Sequence, residues 1–208
     1  MTLPAPPVLV ITDRRQARSS LDTIAAAVFA GGGRWLALRE KDLLAAERTE
    51  LARRLVALAR PHGAIVTVHG DLDAVLAAGA HGVHLPSGGD PGAARKKLGR
   101  RALIGVSAHS AAEAEAAAAR GADYVTVSPI FMSASKPGYG PPLGTAALGA
   151  LAKRLAIPVV ALGGIGETTA ADCLAAGAKG VAVMGLVMRA ADPRAITARL
   201  IAAAATAA

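Results

Sequence analysis

The chain runs to 208 residues, with 53% hydrophobic residues, only 2% aromatic, and a formal net charge of +8. This length suits one large domain spanning residues 1–208, with a core built from Ala, Val, Leu and Ile. So few aromatics exclude a protein that stacks nucleic-acid bases, and the basic excess is read instead as solvated faces and a field that attracts small anionic metabolites.

In chain order, the first β-branched run is Val8–Thr12, followed by a helical pattern at Leu21–Ala30. Trp35–Arg39 and Leu44–Arg60 form the second strand and helix. Ala64–Val68 and Leu72–Ala78 make the third pair, and Gly82–Leu85 and Pro91–Leu98 the fourth. The fifth is Ala102–Ser107 with Ala111–Arg120. Tyr124–Ser128 leads into a long Gly/Pro-rich arm before the helix at Thr145–Leu155. Pro158–Leu162 with Thr168–Ala176, then Gly180–Met184 with Pro193–Ala205, complete the series. Strand-helix alternation implies parallel strands joined by right-handed crossovers. Eight units in this length predict an α/β fold, a single (β/α)8 TIM barrel. An open doubly wound sheet is the rival, but no Gly-rich fingerprint follows the first strand.

Glycines in Ala78-Gly79-Ala80, Arg120-Gly121-Ala122 and Ala176-Gly177-Ala178 read as helix C-termini leading into the next strand. They define the bottom of the barrel, and the Arg95–Arg101 basic cluster falls on that side, away from the chemistry. Cys173, the one cysteine, forbids an intrachain disulfide and suits buried packing in a reducing compartment. No window is long and apolar enough for a membrane span, and Met1–Pro7 lacks the pattern of a signal peptide. A cytoplasmic protein with neither nucleic-acid nor membrane partners is expected; its oligomeric state is not legible.

In such barrels the C-terminal strand ends carry the site. Strand two ends Leu38-Arg39-Glu40-Lys41, where Arg39 offers a forked donor and Lys41 a point charge suited to a diphosphate; ion pairs of these cations with Glu40 or Glu47 are the alternative. Strand three ends His69-Gly70-Asp71, and Asp90 follows strand four. Asp71 and Asp90 can hold a Mg²⁺ ion or cap the helices they precede. Ser107 and His109 follow strand five, with His109 the best placed imidazole for acid-base work, whereas His84 reads as an interior residue. The arm after strand six carries Ser133, Ala134, Ser135 and Lys136, hydroxyls and a cation suited to phosphate. Gly163 and Gly164 after strand seven, and Met184 and Gly185 after strand eight, offer backbone N–H groups to an anion.

In their order and spacing, Ile11-Thr12-Asp13, Leu38-Arg39-Glu40-Lys41, Gly79–Leu85, Gly105–His109, Gly121–Val125, Pro129-Ile130-Phe131, Ser133–Lys136, Gly163-Gly164-Ile165 and Gly180–Val183 carry a family likeness. Over nearly its full length the chain resembles the thiamine phosphate synthase and thiazole tautomerase superfamily. The resemblance implies joining of a hydroxymethylpyrimidine diphosphate to a thiazole phosphate, with Mg²⁺ assisting the loss of diphosphate. It implies that Arg39, Lys41, Ser107 and Lys136 meet the diphosphate or pyrimidine, with His69 also on the substrate. Ser133, Ala134, Ser135, Gly163, Gly164, Met184 and Gly185 would surround the thiazole phosphate.

Several positions depart from the family pattern. Ala37 replaces a glutamine, and His69-Gly70 stands where the family has Asn-Asp. Asp90 lies about one residue from the second metal carboxylate, and Pro129 occupies the place of a histidine used by some tautomerases. Beside the synthase, two readings therefore stay open: a thiazole tautomerase in which His109 or another group moves a proton, and a non-catalytic barrel that binds thiazole or thiamine phosphate.

Overall fold

The computed structural model of the protein describes residues 2–133 and 141–205. Eight parallel strands close into a barrel in sequence order, β1 (Val8–Ile11), β2 (Trp35–Leu38), β3 (Ile65–His69), β4 (Gly82–Leu85), β5 (Leu103–Ala108), β6 (Tyr124–Val127), β7 (Val159–Leu162) and β8 (Gly180–Val183), with β8 pairing back onto β1. The helices between them are α1 (Leu21–Ala30), α2 (Ala45–Ala59), α3 (Leu72–Ala78), α4 (Pro91–Leu98), α5 (Ala111–Ala119), α6 (Gly144–Arg154) and α7 (Glu167–Ala175). A one-turn helix α8 (Gly185–Met188) precedes the final α9 (Pro193–Ala205). The (β/α)8 expectation holds; the sequence reading lacked α8 and the 3₁₀ turn Arg60–His62, because a single turn shows no period.

Strand alternation divides the core. Outward residues such as Val8, Val10, Leu36, Val66 and Val125 pack under the helices with small partners, Ala25, Ala52, Ala117 and Cys173 among them. Inward residues form a second cluster that includes Leu9, Ile11, Leu103, Val160 and Ala182. Here the aliphatic expectation needs correcting, because Trp35 and Tyr124 fill the barrel interior, edge to face with ring centroids 4.9 Å apart. Two large rings occupy volume that several branched aliphatics would otherwise supply.

The bottom turns behave as read. Gly79, Gly121 and Gly177 adopt φ of 64°, 89° and 110°, a region that favours glycine. Arg95 of the basic cluster is a structural clamp: its guanidinium donates to both carboxylate oxygens of Asp123 at 2.7 Å, and Asp123 also accepts from the Ile104 N–H. Lys97 pairs with Asp73. No described helix is long and apolar enough to cross a membrane.

Candidate active site

Parallel register sets the floor of the site. His69 lies opposite His84, His84 opposite Gly105, and Gly105 opposite Tyr124, while Ser107 faces Thr126. These inward positions put a polar layer above the aromatic one. His84 is 4% exposed; its Nδ1 lies 2.9 Å from the Tyr124 hydroxyl and its Nε2 2.9 Å from Ser107 Oγ. Thr126 Oγ1 stands 3.3 Å from Nε2, and the His69 ring stacks on His84 with centroids 5.7 Å apart. Burial, helped by Arg39 and Lys41, lowers His69 to about 4. Burial, with His69 and Arg39 adding to it, lowers His84 to about 3. Both rings are neutral near pH 7.

A cavity of about 370 Å³ opens at the C-terminal mouth, between the ends of β1, β2 and β6–β8. Its walls include Ile11, Leu162 and Met184, and its polar lining comes from Arg39, Ser128, Ser133, Thr168, Thr169 and Arg189. Among the described residues, neither Arg39 nor Lys41 enters an ion pair. The carboxylates proposed to neutralise them are turned elsewhere. Glu40, 3% exposed, accepts from Thr12 Oγ1 at 2.8 Å and from the Arg14 N–H. Glu47 accepts from the Leu44 N–H. Thr12 Oγ1 in turn accepts from the Arg39 N–H at 2.9 Å, pinning the residue whose side chain lines the cavity. Burial raises the Glu40 carboxyl despite these donors.

Gly163 and Gly164 line the same cavity at φ of 98° and 67°. A Cβ on Gly164 would lie 2.5 Å from the Met132 carbonyl oxygen, and one on Gly163 2.9 Å from Pro129 Cα. The Phe131 N–H donates to the Gly163 carbonyl at 3.0 Å. The glycines are thus needed where the loops after β6 and β7 pack together, which also leaves bare backbone facing the hollow. Thr169 Oγ1 secures this turn, donating to the Gly164 carbonyl and accepting from the Gly166 N–H.

The structure therefore gathers Arg39, Ser133, Gly163, Gly164, Met184 and Gly185 around one cavity. His69 and Ser107 are not in its lining but meet His84 in the polar layer inside the barrel, and Lys41 stands near enough to act on His69. Ala134, Ser135 and Lys136 lie outside the described residues. His109 is not part of the cavity's described lining: its Nδ1–H donates to the carbonyl of Ser128, which is, at 3.0 Å, and its N–H donates to Glu113. These bonds brace the end of β5 against the residue that follows β6. Sequence reading did not find Thr168, Thr169 or Arg189; Arg189 follows the one-turn α8 and bonds Gln16 across the mouth.

The expected Mg²⁺ ligands do not fit a cation. Asp71 Oδ1 caps α3 through the Ala74 N–H, and Oδ2 accepts from Arg48 at 2.7 and 2.9 Å. Asp90 Oδ1 caps α4 through the Gly92 and Ala93 N–H groups. Among the described residues no three His, Cys, Asp or Glu side chains converge on a metal position. Both aspartates cap helices, and Asp71, already neutralised by the Arg48 guanidinium, has little attraction left for a cation.

A family model described as thiamine monophosphate synthase matches residues 8–187. The chain belongs to the thiamine monophosphate synthase family. A thiamine-phosphate synthase of Anaeromyxobacter dehalogenans is 45% identical over 180 residues, 86% of this chain and 81% of that one. One from Chlorobium phaeobacteroides is 38% identical over 196 residues, 94% of this chain and 95% of that one. The solved thiamine phosphate pyrophosphorylase of Pyrococcus furiosus superposes with a TM-score of 0.86 at 30% identity, covering 96% of each chain. The cations, hydroxyls and bare backbone gathered at the mouth cavity are chemically matched to phosphate.

Proposed function

We propose that the protein is a transferase that joins a hydroxymethylpyrimidine diphosphate to a thiazole phosphate, releasing diphosphate and forming thiamine phosphate. The observation that carries this reading is one 370 Å³ cavity edged by Arg39, which has no counter-ion among the described residues, by hydroxyls and by glycine backbone. Names shared by relatives over most of the chain support the same substrates.

In this reading Arg39 and Lys41 hold the diphosphate. The bond between the pyrimidine methylene carbon and the diphosphate oxygen breaks, with the electron pair leaving on oxygen. The cations stabilise that developing charge, and stabilisation is strongest where water is excluded. The thiazole nitrogen then donates its lone pair to the methylene carbon, and diphosphate departs with both bonding electrons, so no oxidant or proton donor is consumed. Ser133, with the Gly163–Gly164 backbone and Met184-Gly185, holds the thiazole phosphate. Ser107 donates to the diphosphate or the pyrimidine from the floor, beside His69. Mg²⁺ is the family's implied assistant; the Asp71 and Asp90 positions do not supply its site, so no step here depends on them.

The test is incubation of purified protein with both substrates, following diphosphate release and thiamine phosphate formation. Product formation supports the transferase. Tight binding of thiazole phosphate with no diphosphate released would replace it with the non-catalytic binding role.

A further inference from the structure

The buried histidine of β4 has a defined place in this site. Gly105 has no Cβ, and one placed there would lie 2.0 Å from Tyr124 Cζ. The glycine therefore lets the Tyr124 ring lie across β5 and brings its hydroxyl to His84 Nδ1. The phenol is fully buried, and its acidity is weakened by burial and by Asp123, so it keeps its proton. The other buried hydroxyl on the neighbouring face, Thr67 Oγ1, makes no hydrogen bond. Thr67 lies close enough to act on the phenol, but Nδ1, at 2.9 Å, is the acceptor in hydrogen-bond geometry with it, and a buried O–H aimed at nothing is costly.

We propose that His84 is a positioning residue that sets the direction of the Ser107 hydroxyl. Tyr124 donates to Nδ1, the ring carries its proton on Nε2, and Nε2–H donates to Ser107 Oγ. With a lone pair of Oγ occupied, the serine's own proton is directed away from the floor and toward the ligand. Diphosphate oxygens are acceptors only, so a hydroxyl aimed as a donor matches them, whereas one turned downward opposes a lone pair to a negative charge. The inference deepens the function proposed above and depends on it for the identity of the ligand.

Two measurements test it. The tautomer is read in ligand-free, 15N-labelled protein by long-range proton-nitrogen NMR, with His84→Gln assigning the ring. A proton on Nε2 is expected; a proton on Nδ1 overturns the relay whether or not the protein turns over substrate. Affinity for inorganic diphosphate is then measured across a cycle of variants. Ser107→Ala and His84→Leu should each weaken binding about tenfold, the scale of one lost hydrogen bond to a charged group. The double variant should be no weaker than either alone, because the histidine acts through the serine. His84→Gln, which can place an N–H near the position of Nε2, should stay within about threefold of the parent protein. Additive losses, or His84→Gln as weak as His84→Leu, would show a packing role and refute the proposal. If His84→Leu does not fold, the tautomer and the comparison of His84→Gln with Ser107→Ala decide. Failure to make thiamine phosphate alongside the expected tautomer and coupled losses would defeat the proposed reaction and leave the relay standing.

Discussion

Removing the His69 imidazole should flatten the acid side of the stability curve. In the folded chain His69 titrates at about 4 instead of its ordinary 6.5, and His84 at about 3. The unfolded chain therefore takes up protons first as pH falls. Stability from these rings is complete above about pH 7, lost as pH drops through 6.5, and levels off only below the folded-state values. Between pH 7 and pH 5 each ring should cost about 2 kcal/mol of stability, from 1.36 kcal/mol per pH unit over the window below the unfolded value. At pH 5 both folded-state rings are still neutral, so their mutual repulsion does not enter and the two losses add. Urea unfolding at pH 7, 6 and 5 would be compared between the parent protein and His69→Gln. The variant should lose about 2 kcal/mol less over this range. Parallel curves would refute the reasoning, showing that the ring is solvated well enough to protonate in place.

Other substitutions separate site from scaffold. Asp90→Ala should lower stability by about 1 kcal/mol through loss of the α4 cap, and leave the Mg²⁺ dependence of turnover as in the parent protein; thermal melting and a Mg²⁺ titration check this. Gly164→Ala should cost at least about 1 kcal/mol, because it forces a side chain into positive φ. It should also raise KM for the thiazole phosphate by displacing Met132; unchanged melting and KM would contradict the loop packing. Arg39→Gln should raise KM for the diphosphate substrate about tenfold, the loss of a charged hydrogen bond, whereas Arg53→Gln on the exposed face of α2 should leave it unaltered. Steady-state kinetics of both variants tests whether the site reads a particular cation or only the overall positive field.

The alternation of β-branched runs with Ala/Leu/Arg stretches determined the barrel, because a parallel strand buried on both faces and an amphipathic helix have different periods. It also placed Arg39, Ser133, Gly163 and Gly185 at one rim, since in this fold every strand's C-terminal end points the same way. Asp71 and Asp90 were legible as helix caps or metal ligands from residue type alone. For Asp71 only the tertiary structure chose, by bringing Arg48 from α2 onto it. That His109 Nδ1 meets the carbonyl of Ser128, just past β6, was likewise not legible in the sequence. His84, whose one-letter context reads as plain strand, became the hub of the floor because barrel closure set β4, β5 and β6 in a register joining it to Ser107 and Tyr124. Local periodicity is written in adjacent residues, but a hydrogen bond between strands depends on shear and on which side chain is small enough, as at Gly105, to let another cross.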